Sequence, residues 1–99
     1  MISDNMLSTT SYIGEHTTVE NYGLACGVAI RRRRAHRPEA CLEQCTEARD
    51  VALHKMVEIA SGTGANAVVG IRFESTRIDF DLTEVVCYGT AVTVHYLEP

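Results

Sequence analysis

The chain of 99 residues has no tryptophan and only two prolines, and aromatic residues make up just 6% of it. Its apolar runs all fall well short of the roughly 18 residues that cross a bilayer. The first twelve residues lack the basic and apolar regions of a secretory signal. We therefore expect a protein that does not enter a membrane and that resides in a reducing cytoplasm.

Familiar catalytic patterns are also missing: the sequence has no Ser-His-Asp arrangement, no HExxH and no Walker motif. His54 falls on the polar side of a predicted helix, and His95 lies near the end of the chain. Asp79 and Asp81 could act as a pair, but acidic residues are common in connections of this kind. These observations favour a protein without enzymatic activity.

The length predicts one domain over residues 1–99, and the net charge of −4 disfavours general attraction to nucleic acid or anionic membrane. Five of the nine basic residues nevertheless cluster in one short run: Arg31, Arg32, Arg33, Arg34 and Arg37. This run predicts an anion-binding site for an acidic partner or a polyanion. The alternative is a solvated basic turn.

A first strand is predicted over Thr17–Ile30 by its period of two. One face carries the larger residues Tyr22, Leu24, Cys26, Val28 and Ile30. The other carries only Gly23, Ala25, Gly27 and Ala29. A face of such small residues predicts that a second surface packs closely against it.

A helix is predicted from Glu39 to Ser61, with Pro38 in its first turn and Gly62 as its left-handed cap. Its apolar side is expected to hold Cys45, Ala48, Ala52, Met56 and Ile59. Arg49 falls near that side, so we expect a buried guanidinium paired with Glu20, Glu74 or a carboxylate of another subunit.

Two more strands are expected after the helix, one starting at Ala67 and one over Val85–Leu97, with their connection within Glu74–Glu84. Residues 1–11 are predicted to be a loose arm or a short added strand. The fold class is therefore α+β: a β-α-β-β subunit with one long helix on a three-stranded sheet. The first two strands should run parallel and the last two antiparallel. Because one helix covers one face, we expect self-association to cover the other.

The stretch GANAVVG, Gly64–Gly70, could in principle cradle a phosphate. A phosphate loop normally leads into a helix, whose N-terminus is positive, whereas here the helix precedes the loop. We therefore expect a structural joint, in which Gly62 or Gly64 caps the helix and the Asn66 side chain ties the turn.

The four cysteines are expected to be mostly buried free thiols. A metal site is the alternative, because Cys41 and Cys45 are one helical turn apart and His36 is close to the helix start. Thiolates with an imidazole suit zinc, cadmium or copper(I). A fourth ligand would have to come from Cys26, Cys87 or a neighbouring subunit.

Several segments resemble the YbjQ-like family of small bacterial proteins, which are labelled as heavy-metal-binding domains. They are the Ser8–Thr10 lead-in, the Gly14 turn, the strand YGLACGVAI, the Ala48-Arg49 pair, GANAVVG and GTAV. The resemblance implies a dodecin-like β-α-β-β subunit that assembles into a ring, with a pentamer expected. The sequence departs from the family after the first strand, where RRRRAHRPEA replaces a longer, glycine-rich segment.

The leading hypothesis is thus a non-enzymatic, ring-forming oligomeric binding protein for a soft metal ion or an anionic partner. Two alternatives stay open: a purely structural assembly protein, and an enzyme whose active site forms between subunits.

Overall fold

The secondary structure follows the predicted β-α-β-β order. The computed structural model describes the backbone of residues 2–32 and 38–97, and the side chains of residues 2–32 and 45–97. After a short 3-10 helix at Asp4–Met6 come β1 (His16–Arg32), α1 (Pro38–Gly62), β2 (Ala67–Asp79) and β3 (Leu82–Tyr96). The predicted α+β class, with one long helix and a three-stranded sheet, is confirmed.

The sheet has the order β1-β3-β2, and β3 pairs antiparallel with both neighbours. β1 and β2 therefore point in the same direction, as predicted, but β3 lies between them. Residues 80 and 81 form the turn between β2 and β3, which places these two strands side by side. Because β3 is apolar on both faces, it suits the central position of the sheet.

The small residues of β1 face α1. Ala25 and Ala29 are buried there, and Gly27 lies between them. A Cβ atom at position 27 would overlap the helix backbone at Ala52 and Met56. The predicted close contact is therefore present, and the chain makes it with its own helix.

The buried side of α1 differs in part from the predicted one. Its buried residues are Ala48, Ala52, Met56, Val57 and Ala60. Ile59, predicted to be in the core, is 53% exposed, because the sheet lies on the side of the helix marked by Val57 and Ala60. Within residues 2–32 and 38–97, no helix is long and apolar enough to cross a membrane.

The Arg49 prediction is wrong for the single chain, since the residue is exposed on α1. Its proposed partners bind other groups. Glu20 accepts a hydrogen bond from the Tyr22 hydroxyl at 3.0 Å. Glu74 accepts one from the Tyr88 hydroxyl at 3.2 Å.

The sequence spacing placed Tyr22 on the same face of β1 as Leu24, and this prediction is wrong. The β1–β3 register shifts between Asn21 and Gly23, and such a bulge changes the side to which the following residues point. Tyr22 instead packs against the helix-side core, and its hydroxyl lies 2.9 Å from the Thr93 hydroxyl.

The segment before β1, for which we expected a loose arm or an added strand, lies along β2. The Ser8 amide donates to the Val68 carbonyl at 2.9 Å, and the Ile71 amide donates to the Ser8 carbonyl at 3.0 Å. Ile2 is buried in the helix-side core, whereas Ile13 is buried on the opposite face of the sheet. This segment therefore covers the start of β2 on both faces.

Candidate functional site

The GANAVVG stretch joins the helix to the sheet, as predicted. The left-handed cap is Gly64 and not Gly62, which is the last residue of α1. Gly64 has a φ of 94°, and its amide donates to the Ser61 carbonyl at 3.1 Å. The Asn66 side chain bonds the Val94 backbone in both directions, donating at 3.0 Å and accepting at 2.8 Å. The Asn66 side chain thus extends the hydrogen-bond pattern of the sheet beside Val94, which is a structural role.

The second glycine of the stretch serves the N-terminal segment. Gly70 has a φ of 64° and lies at a register shift between Val69 and Arg72. Its amide donates to the Thr10 carbonyl at 2.7 Å. This bulge turns β2 amides toward the N-terminal segment, so both glycines of the motif have structural roles.

The three cysteines with described side chains occupy three different environments. Cys26 and Cys87 lie on adjacent strands, but Cys26 is paired with Tyr88 and Cys87 with Gly27, so their thiols point to opposite faces of the sheet. Cys87 is fully buried, and burial, followed by the nearby Cys26, raises its pKa to about 11. Cys45 is a half-buried free thiol on α1.

These environments limit where a metal could bind. Metals coordinate the thiolate, which burial disfavours at Cys87, and Cys26 cannot reach the same ion as Cys87. Among the described side chains, no three His, Cys, Asp or Glu residues come together as a metal-binding group. Of the three described thiols, Cys26 and Cys45 are half-buried and Cys87 is buried. His36 lies outside the described residues, and Cys41 lies in α1 where side chains are not described.

Two residues of the arginine run can be placed, both at the end of β1. The Arg32 side chain is 62% exposed and binds the Asp81 carboxylate at 2.9 Å. Arg31 is half-buried. Arg33, Arg34 and Arg37 lie outside the described residues.

Beside these arginines, the outer side of β1 and α1 enclose an open cavity of about 330 Å³, which we call the edge groove. Lys55 marks its position, because it lines the groove and donates to the Val28 carbonyl at 3.1 Å. Its lining combines apolar and charged residues: Ala29, Ala48 and Val51 with Arg31, Arg32, Lys55 and Glu47.

The face of the sheet opposite α1 carries a row of exposed apolar side chains on β1, which we call the open face. Leu24 is 74% exposed, Ile30 63% and Val28 38%. Val86 and Tyr88 of β3 lie beside this row, opposite Val28 and Cys26. An exposed apolar row of this kind marks an interaction surface.

The potential acid–base residues are spread over the molecule. His54 bonds Glu58 on the outer side of α1 at 3.0 Å, and Asp81 bonds Arg32. His95 is exposed near the end of β3, far along the strand from the turn that follows Asp79. The described residues therefore do not bring these groups into one constellation.

Comparisons with known proteins agree on one family. A family model described as "putative heavy-metal-binding" matches residues 5–95. The UPF0145 protein of Burkholderia lata is 36% identical over 94% of this chain and 89% of its own length. The UPF0145 protein of Sulfurisphaera tokodaii is 31% identical over 93% of this chain and 92% of its own. The first alignment runs over 106 positions, so that relative has residues that this shorter chain lacks.

A solved structure supports the same fold. The crystal structure of a protein of unknown function from Pediococcus pentosaceus, assigned to the DUF74 family, superposes with a TM-score of 0.71. It covers 90% of this chain and 96% of that protein at 13% sequence identity. At this identity the likeness concerns the fold alone.

Proposed function

This chain belongs to the YbjQ-like family, and from that premise we propose that it is a non-enzymatic binding protein that assembles with copies of itself into a ring. The observation that carries the proposal is the open face, where Leu24, Val28 and Ile30 are exposed side by side. Monomeric proteins rarely leave such contiguous apolar surface in water. A second copy of the same chain would remove it from solvent.

The edges of the sheet favour a ring over a two-fold dimer. The two edge strands, β1 and β2, differ in length and sequence, so joining them is a head-to-tail contact. Contacts of this type close into rings when the rotation allows it. Closure also pairs the exposed strand edges, which otherwise promote aggregation. The family resemblance leads us to expect five copies.

The ligand we propose is a soft metal ion bound by cysteine thiolates. The support is the family description together with Cys45, whose thiol is free and only half-buried on α1. Cys41, four residues earlier in the same helix, and His36 would complete the set, with further donors from a neighbouring subunit. Thiolate and imidazole ligands select zinc, cadmium or copper(I).

An anionic partner is the second candidate. Arg31 and Arg32 end β1 next to Lys55, so basic residues gather along one edge of the sheet in a protein with a net charge of −4. A ring would repeat this charge around one rim and make it multivalent. Replacing Arg31–Arg34 with serine should weaken binding to heparin at low salt while leaving the protein folded. Unchanged heparin binding would rule this candidate out.

Native mass spectrometry of the untreated protein tests the proposal, because it reports subunit number and bound ions together. We expect a closed ring and, after zinc or cadmium is added, a fixed number of ions per chain. The double variant C41S/C45S should lose the ions and keep the ring, while the matched variant C26S should keep both. Metal binding that is unchanged in C41S/C45S would contradict this ligand set.

The same measurement separates the alternatives. A ring that takes up no metal and no polyanion would favour a purely structural assembly protein. A single folded chain at micromolar concentration would overturn the assembly itself. An enzyme would require a pocket between subunits, which a structure of the assembled protein would reveal.

A further inference from the structure

The turn between β2 and β3 presents one exposed aromatic side chain. Phe80 is 85% exposed, the highest value among the large apolar residues whose side chains are described. Its amide donates to the Asp79 carboxylate at 2.7 Å, and its carbonyl accepts a hydrogen bond from Arg77 at 2.8 Å. The Arg77 guanidinium carbon also lies 5.8 Å from the centre of the ring. The backbone of Phe80 is therefore held by the turn while its ring is exposed, as an aromatic interface anchor would be before its partner binds.

The edge groove is complementary to this turn in both shape and charge. Its apolar wall comes from Ala29, Ala48 and Val51, and its three basic groups outnumber the one carboxylate of the lining, Glu47. Around Phe80 the turn instead carries the carboxylates of Asp79 and Asp81, of which Asp81 already binds Arg32 of the same chain. An apolar ring beside the Asp79 carboxylate thus matches an apolar groove with more cations than carboxylates, and such complementarity orients partners on contact.

The strand register places the two features at the same end of the molecule. Arg32 on β1 and Asp79 on β2 both pair with Leu82 of β3, so the groove and the turn lie level with each other on opposite edges of the sheet. A head-to-tail contact lays β2 of one copy beside β1 of the next. In a ring whose axis runs along the strands, Phe80 then meets the edge groove of its neighbour.

The part of β2 available for this contact is its second half. Ser8 and Thr10 bond the amides of Ile71 and Gly70, so the N-terminal segment already occupies that part of the β2 edge. From Arg72 to Asp79, the described residues give β2 no strand partner other than β3. That stretch lies level with Cys26–Arg32 of β1, which is the length of strand that borders the groove.

We propose that Phe80 of each copy inserts into the edge groove of the next copy in the ring, with Asp79 facing the basic residues of that groove. This inference rests on the proposed ring and names the contact that joins its subunits. The groove is then an interface between copies of this chain, and Val51 lies against the inserted ring.

The chain offers a clean reporter for this contact because it contains no tryptophan. In F80W, the single indole should emit at short wavelength and be shielded from acrylamide while the protein is a ring. Adding V51E to the groove should expose the indole and increase its quenching several-fold. Native mass spectrometry of the same samples gives the subunit number, so emission and assembly are read together.

Two outcomes separate the inference from the proposal on which it rests. A ring of F80W in which the indole stays fully accessible to acrylamide would overturn the inference and leave the ring proposal standing, with the groove free for another occupant. A protein that is a single chain at every concentration would overturn both. A shielded indole that becomes exposed in the V51E background would support the contact.

A truncation gives a second measure that does not depend on fluorescence. F80A should raise the subunit dissociation constant by about tenfold or more, as removal of a buried aromatic anchor does. Y12A is the matched control, since Tyr12 is also aromatic and 63% exposed but precedes β1. If F80A and Y12A dissociate alike, Phe80 is not the anchor. Circular dichroism should show both variants folded, because the two side chains are largely in solvent.

Discussion

The two faces of β1 differ in the size of their residues: one packs within the chain, and the other is the face that we propose copies of the chain cover. On the face toward α1, Gly27 lets the helix backbone rest directly on the strand. On the open face, Leu24 and Ile30 are more than half exposed. The face of small residues is covered by α1 of the same chain, whose backbone approaches it closely. A large apolar face that no described residue of the chain covers is typical of a surface that a partner buries.

We expect the largest effect on stability from G27A, which adds a single methyl group at the contact between β1 and α1. In G27A the new Cβ would overlap the backbone of α1 at Ala52 and Met56, which cannot move aside as a side chain can. Overpacking usually costs about 1–3 kcal/mol, and we expect a loss at or above the top of that range. Urea unfolding measures it. G14A is the control, since a Cβ there meets no atom within 4 Å; equal losses in both variants would contradict the close contact.

A charge on the open face should act on assembly and spare the fold. Leu24 is 74% exposed, so L24E should change the unfolding free energy of a single chain by only about 0.5 kcal/mol. Burying that carboxylate between copies is far more costly, so the ring should dissociate into 10.9 kDa chains. Sedimentation velocity at micromolar concentration reads the mass. L97E, at a residue 54% exposed beyond β3, should stay assembled; a ring in L24E would show that the open face is not buried by copies.

Periodicity predicted the large features of this fold because burial imposes it. The strand predicted over Thr17–Ile30 extends over His16–Arg32, and the helix predicted over Glu39–Ser61 extends over Pro38–Gly62. What periodicity missed are local changes of phase. The bulge before Gly23 turned Tyr22 to the other face, and a pattern of alternating residues contains no sign of such a shift.

The position of the β2–β3 connection could not be predicted from the sequence either. The turn at residues 80 and 81 contains neither glycine nor proline, so no residue pattern located it within Glu74–Glu84. The sequence also did not indicate which strand pairs with β1. In the structure that strand is β3, which lies between the parallel strands β1 and β2. Of the predicted site residues, Cys45, Arg31 and Arg32 could be placed. Whether they bind a ligand depends on groups from other segments and copies, which spacing along one chain does not specify.

The cysteines on the two faces should differ in reactivity. Cys87 is fully buried beneath α1, so an alkylating reagent should reach it only after unfolding, in the ring and in dissociated L24E alike. Cys26 is half-buried on the open face, so it should react slowly in the ring and several-fold faster in L24E. Peptide mass mapping after timed alkylation distinguishes the two. A Cys26 that reacts at one rate in both proteins would mean that assembly does not cover this face.

The smallest effect we expect is a loss of stability at high pH that originates at Cys87. Burial, followed by the nearby Cys26, raises the pKa of this thiol from 9.0 to about 11 in the folded protein. Above pH 9 the unfolded chain loses the thiol proton while the folded chain keeps it, so stability falls as pH rises. The contribution is complete below pH 9 and is lost between pH 9 and 11, with a size below about 3 kcal/mol.

Comparison of wild type with C87A isolates this contribution from other groups that titrate in the same range. Tyr88 is one of them, because burial and the Glu74 carboxylate raise its pKa as well, and it is present in both proteins. C87A should be less stable at neutral pH, since it leaves a gap in the core, but its stability should fall less steeply between pH 9 and 11. Denaturant unfolding across that range gives both slopes. Parallel slopes would mean that the thiol titrates alike in the folded and unfolded chains, and that the face under α1 is more open to water than its packing indicates.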